Sequence, residues 1–214
     1  MIEESMRQSG IVPVVVLDDP EDAVPLAEVL VEKGIDVIEI TCRTPAAFEA
    51  IENIASSTVN ITVGAGTVLS IADVVDVQQA GAQFAVAPGC NLDVVAAAFE
   101  LDLLFIPGVM TPSEIETAHG IGCSTLKFFP AGAAGGPSTL KALQGPYSHL
   151  GLEFIPTGGV SADNLAEYLA LDCVAAVGGS WIVKRELIAE RNWQEISRRI
   201  DEARTILHHC RPAK

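Results

Sequence analysis

Short apolar runs and helical stretches alternate along this chain, and few folds accommodate that rhythm. The runs, from residue 12 onward, are VPVVVL, VIEITCR, ITVGAGTV, FAVAPG, LLFIPGV, TLKFFPA, EFIPTGGV and VAAVGGSWIV. Most are nearly continuous in apolar residues, as expected of strands covered on both faces in a parallel sheet. The stretches between them carry helix-start signals. Asp19-Pro20 with Asp22, Thr44-Pro45, and Thr111-Pro112 with Glu114 each set a capping side chain ahead of a proline suited to the first helical turn. Thr111 and Glu114 also have capping-box spacing. Trp193, Ile196, Ile200, Ala203 and Leu207 step around one face of a final amphipathic helix. Eight strand-helix units in 214 residues, with no linker or low-complexity stretch, predict one α/β domain spanning 1–214. Its expected form is a (β/α)8 TIM barrel with a short N-terminal helix, an open doubly wound sheet being the competing arrangement. An apolar content of 49% is ample for the core.

Charge excludes several partners. The formal net charge is -15, so no basic footprint is expected for nucleic acid or an anionic membrane, and any anionic ligand needs a local site. The opening MIEESMRQSG lacks a positive segment followed by an apolar one, and no later segment runs eighteen apolar residues unbroken. A soluble cytoplasmic protein is the expectation. Cys42, Cys90, Cys123, Cys173 and Cys210 are scattered, with no CxxC, which fits reduced thiols and no zinc site.

One residue does not belong in its strand. Lys127 lies in TLKFFPA, where a buried ammonium costs several kcal/mol unless it is paired, reaches solvent or sheds its proton. Strand alternation puts Lys127 and Phe129 on one face and Leu126 and Phe128 on the other, so the amine is expected to point into the barrel beside an aromatic ring. A neutral amine there can attack a carbonyl and form a Schiff base; a snorkelling or ion-paired lysine is the blander alternative. The other lysines, Lys33, Lys141, Lys184 and Lys214, fall in helices, after the last strand or at the chain end. In VIEITCRT, Glu39, Thr41 and Arg43 share a face. Arg43, at the strand's C-terminal end, suits a carboxylate or phosphate, and Glu39 is a candidate general acid/base or a structural partner of Lys127 or Arg43.

The rim of the barrel has its own signals. Thr67, in VGAGTV, puts a hydroxyl near the mouth, with Gly64 and Gly66 permitting close approach of backbone or ligand. Pro88-Gly89 and Pro107-Gly108 turn the chain after the fourth and fifth strands. PTGGVS and VGGSW, with Gly158-Gly159 and Gly178-Gly179-Ser180, precede helices after the last two strands, where free backbone N–H groups and the helix dipole suit a phosphate or similar anion, plain turn glycines being the alternative. The histidines, His119, His149, His208 and His209, avoid the strand ends, so no metal centre is expected.

With Glu39 and Arg43 in IEITCRT, Thr67 in VGAGTV, Lys127 in KFFPA, and the PTGGVS and GGSW segments, the sequence resembles the 2-keto-3-deoxy-6-phosphogluconate (KDPG) aldolases. These are also called KDPG/KHG aldolases, class I enzymes of the Entner-Doudoroff pathway. The resemblance runs from about Ile11 to Trp181. It implies cleavage of KDPG to pyruvate and glyceraldehyde 3-phosphate, and of 4-hydroxy-2-oxoglutarate (KHG) to pyruvate and glyoxylate, with no metal or organic cofactor. Lys127 would be the Schiff-base lysine and Glu39 the acid/base. Arg43 and Thr67 would surround the pyruvate carboxylate, Phe129 and Pro88 would line the site, and Gly158, Gly159 and Ser180 would receive the phosphate. A homotrimer is implied as well. Cys42 stands where the family commonly has leucine, and AGAAGG, 131–136, lacks the acidic residue often found after KFFPA. Three other readings stand beside it: the galactonate-specific relative, which usually lacks an arginine at the Arg43 position; an isomerase or epimerase with Glu39 as base; and a non-catalytic binder of a phosphorylated metabolite.

Overall fold

A computed structural model describes residues 2–211; Lys214 lies outside the described residues. The strands are β1 (Ile11–Val15), β2 (Val37–Thr41), β3 (Thr62–Gly66), β4 (Phe84–Val86), β5 (Leu104–Ile106), β6 (Gly108–Val109), β7 (Thr125–Phe128), β8 (Glu153–Pro156) and β9 (Val177–Gly179). The helices are α1 (Ile2–Ser9), α2 (Ala23–Glu32), α3 (Ala47–Ser56), α4 (Ile71–Gln79), α5 (Leu92–Glu100), α6 (Pro112–Gly120), α7 (Gly136–Gln144), α8 (Ala162–Leu169), α9 (Arg185–Ala189) and α10 (Trp193–Cys210). All strand pairings are parallel, in a curled α/β fold.

The ladder is not the single eight-stranded sheet read from the sequence. It is a six-stranded sheet in the order β5-β4-β3-β2-β1-β9 and a three-stranded sheet in the order β6-β7-β8. The fifth apolar run, LLFIPGV, divides at Pro107, which has no N–H to give the ladder. Residues before it pair with β4 and residues after it with β7, while the Pro107 carbonyl accepts from the Lys127 N–H at 2.9 Å. Single bridges, Phe154↔Val174 and Thr157↔Gly178, run between the β8 and β9 segments.

Alternation sorts the side chains into two cores. Outward-facing Ile38, Ile40, Ala65, Ala85, Phe105, Leu126, Phe128 and Phe154 pack against the helices, and α10 adds Ile196, Ile200, Ala203 and Leu207. Inward-facing Val12, Val37, Phe84, Val86, Ile106, Ile155 and Ala176 form a smaller cluster that Met6 of α1 joins. Each large apolar side chain so buried contributes ~1.5–3 kcal/mol. The inner cluster gives the polar groups beside it a dry surround. A side chain on Gly64 would meet the Phe84 ring at 2.3 Å, so what approaches this glycine is a neighbouring ring, where the sequence allowed backbone or ligand.

The helix starts follow the sequence with two differences. Thr111 and Glu114 form the expected capping box, and Ser70 with Asp73 forms another. Asp19 caps a short 3-10 turn, Pro20–Asp22, ahead of α2. Thr44 does not cap α3, whose N-cap is Ala46; its hydroxyl donates to the Leu17 carbonyl and ties the loop after β2 to the segment after β1. Among the described residues no helix is long and apolar enough to cross a membrane.

Candidate active site

Lys127 and Glu39 come from different sheets and meet inside the fold. β7 carries Lys127 and β2 carries Glu39, each flanked by residues that face the helices, so both are driven inward. The Lys127 Nζ lies 3.4 Å from Glu39 Oε1, with side-chain exposures of 8% and 4%. A locked charge-assisted contact would be about 2.7–2.9 Å, so this looser pair leaves the amine room to reach another atom. Nζ also lies 5.6 Å from the Phe129 ring centroid, which shields that side of the amine from water.

A glycine sets the position of the carboxylate. A Cβ on Gly66 would fall 2.0 Å from Glu39 Oε1, so the bare backbone of β3 is what lets Glu39 lie across it. The sequence allowed backbone or ligand to approach at Gly66; the group that approaches is Glu39. Next to it, Thr67 takes φ 62°, a left-handed conformation that a threonine rarely adopts, at the end of β3.

Arg43 lies exposed at the rim, just beyond β2. Thr41 Oγ1 donates to the Val15 carbonyl at 2.8 Å and accepts from Arg43 Nε at 3.3 Å, which steers the guanidinium and leaves its other donors for a ligand. Cys42, between them in sequence, turns outward and packs against the outer core, and burial pushes its thiol up to about 12.

After β8 the chain is built from glycines. Gly158 and Gly159 take φ of 87° and 78°, where a side chain would be strained, and lead into α8. Asn164 fixes this turn, accepting from the Ser161 N–H at 2.9 Å and donating to the Gly159 carbonyl at 3.0 Å. Gly132 packs on Gly159, so the segment AGAAGG braces the turn through its backbone. Ser180 is exposed in the loop after β9.

One cleft of about 230 Å³ gathers the nine residues to which the resemblance gives a role: Glu39, Arg43, Thr67, Pro88, Lys127, Phe129, Gly158, Gly159 and Ser180. Gly64 and Gly66 do not line it. Thr157 also lines it and was missed, although it continues the inward alternation of Ile155 and its hydroxyl is buried. Thr157 sits over Gly178, where a Cβ would be 2.2 Å from its Oγ1. Among the described residues no group of three or more His, Cys, Asp or Glu side chains is placed to hold a metal.

An amine and a carboxylate buried together, beneath a rim that carries a guanidinium and bare glycine turns, equip this parallel α/β fold for covalent amine chemistry on an anionic carbonyl compound. The chain belongs to the KDPG and KHG aldolase family, whose model matches residues 2–199. It is 42% identical over 206 residues to a 2-dehydro-3-deoxy-phosphogluconate aldolase of Haemophilus influenzae, covering 96% of each chain. It is 42% identical over 201 residues to the KHG/KDPG aldolase of Escherichia coli K12, covering 94% of this chain and 93% of that one. Among solved structures it is similar to the KDPG aldolase of Legionella pneumophila, with pyruvate captured as a covalent carbinolamine. The TM-score is 0.89 at 40% identity, covering 96% of this chain and 98% of the other.

Proposed function

We propose that this chain cleaves 2-keto-3-deoxy-6-phosphogluconate to pyruvate and glyceraldehyde 3-phosphate, and 4-hydroxy-2-oxoglutarate to pyruvate and glyoxylate, by class I chemistry. The observation that carries the reading is the contact between Lys127 and Glu39, an amine and a carboxylate buried side by side in a cleft open at the rim.

The proposed steps give each group one role. The Lys127 amine adds to the C2 ketone, giving a carbinolamine that loses water to an iminium, an electron sink next to C3. Glu39 takes the C4 hydroxyl proton, the C3–C4 bond breaks, and its electrons pass into the enamine. The aldehyde leaves. The enamine is protonated at C3, and water releases pyruvate and restores the amine. Arg43 and Thr67 hold the carboxylate of the 2-keto acid, Phe129 and Pro88 wall the reacting carbons, and Gly158, Gly159 and Ser180 take the phosphate. The carbinolamine in the Legionella relative supports this order, because it is the first covalent species on the path.

An isomerase or epimerase with Glu39 as base would leave Lys127 without a chemical role, and the relatives favour the aldolase. Arg43 favours the gluconate substrate over the galactonate analogue. The finer architecture is part of the same proposal: β5 and β6 act as one strand bent at Pro107, and with the bridge between Thr157 and Gly178 the two sheets close into an eight-stranded barrel. We also propose a cytoplasmic homotrimer, with exposed Leu69, Ile71, Leu92 and Met110 available for subunit contact. The function is tested by following pyruvate release from each 2-keto acid. The parent turns over and Lys127→Met, close to isosteric, does not; equal activity in the two would remove the mechanism.

A further inference from the structure

The loop that carries Ser180 is held from behind by a residue outside the cleft. Between β9 and α9, Arg199 Nη1 of α10 donates to the Trp181 carbonyl at 2.7 Å, and its Nε donates to Glu195 Oε1 at 2.7 Å. The guanidinium thus links a fixed carboxylate one helical turn away to the backbone one residue past Ser180. Glu195 is held in turn by Arg198, at 2.8 and 2.9 Å, and the two arginines keep its carboxyl well below the usual range, at about 2. On the other side the Trp181 ring covers Gly179, where a Cβ would lie 1.6 Å from the ring. The loop is therefore fixed at its carbonyl by α10 and at its ring by β9.

We propose that Arg199 is a positioning residue for the phosphate end of the substrate, acting through the Trp181 carbonyl on the Ser180 loop. This rests on the reading that Ser180 receives the phosphate. A planar guanidinium holds two acceptors in fixed directions, and an ammonium at the same place cannot reproduce both contacts. Without it the loop loses its link to α10, and the donors around Ser180 shift relative to Gly158 and Gly159. Lys127 and Glu39 lie on β7 and β2 and make none of these contacts, so formation of the covalent intermediate does not depend on Arg199.

The test compares a phosphorylated ligand with one that has no phosphate. KM and kcat are measured for KDPG, and the pyruvate concentration giving half-maximal borohydride inactivation reports on the carboxylate end. Arg199→Met is expected to raise KM for KDPG roughly tenfold, leaving kcat and the pyruvate value within about twofold. Arg199→Lys falls between it and the parent, and supplies the readout if the methionine variant does not fold. Lys33→Met, which loses an ion pair to Asp201 of α10 and makes no contact with Glu195, Arg199 or the Ser180 loop, leaves all three values unchanged. Equal weakening of KDPG and pyruvate in the Arg199 variants, or no change in KM, overturns the inference and leaves the aldolase reading intact. A parent that neither turns over KDPG nor is inactivated with pyruvate overturns both.

Discussion

Lys127 Nζ stands 3.4 Å from Glu39 Oε1, although 88 residues separate the two in sequence and their strands belong to different sheets. The proximity gives Glu39 two possible services: holding the amine in place and moving protons on the substrate. Substitution of Glu39 separates them.

Glu39→Gln keeps the size and polarity of the side chain but removes the proton acceptor. Its kcat for KDPG cleavage is expected to fall about 10²–10⁴-fold, the usual span for losing a positioned acid/base. Borohydride trapping of pyruvate should still occur. Loss of trapping along with turnover would assign Glu39 to adduct formation instead of proton transfer at C4.

Gly66→Ala tests the seat of Glu39. The added methyl would sit 2.0 Å from Oε1 and 2.7 Å from the carboxyl carbon, so the side chain has to move. A destabilisation of ~1–3 kcal/mol is expected by chemical denaturation, together with a drop in kcat, as overpacking usually produces. Unchanged kcat in a folded variant would show that the carboxylate need not lie where Gly66 lets it.

Much of this site was legible because a strand is read by parity. TLKFF and VIEITCR each place an ionisable group among apolar neighbours, and alternation then fixes which way it points. Parity says nothing about what approaches from the next strand. Gly64 and Gly66 therefore suggested approach by backbone or ligand, when they accommodate Phe84 and Glu39. The break at Pro107 was hidden for a related reason, since LLFIPGV reads as one apolar run and only the ladder shows its two halves pairing with different partners. Thr157 follows the same inward alternation as Ile155, but it stands directly before Gly158-Gly159, where the strand pattern gives way to a turn signal. Thr44-Pro45 has the composition of a helix cap, yet the nearby Leu17 carbonyl takes its hydroxyl. Arg199 had no local signal, because what gives it a role is its contact with the carbonyl of Trp181, eighteen positions earlier.

Cys42 lies between Thr41 and Arg43 but should take no part in chemistry. Burial raises its thiol to about 12, so at pH 8 the thiolate fraction is on the order of 10⁻⁴. Iodoacetamide at pH 8 should leave Cys42 unmodified in the folded protein, with modification speeding up as the pH rises toward 12, and peptide mass spectrometry reads the outcome. Rapid labelling at pH 8 would mean that the thiol is not held in the outer core.

The central claim is that Lys127 becomes covalently bound to the substrate. The protein is incubated with pyruvate and borohydride, digested, and its peptides are weighed. The expected result is a reduced pyruvate adduct on Lys127 alone, absent from Lys127→Met and lost when pyruvate is omitted. A folded, untrapped parent, or an adduct confined to another lysine, would contradict the account.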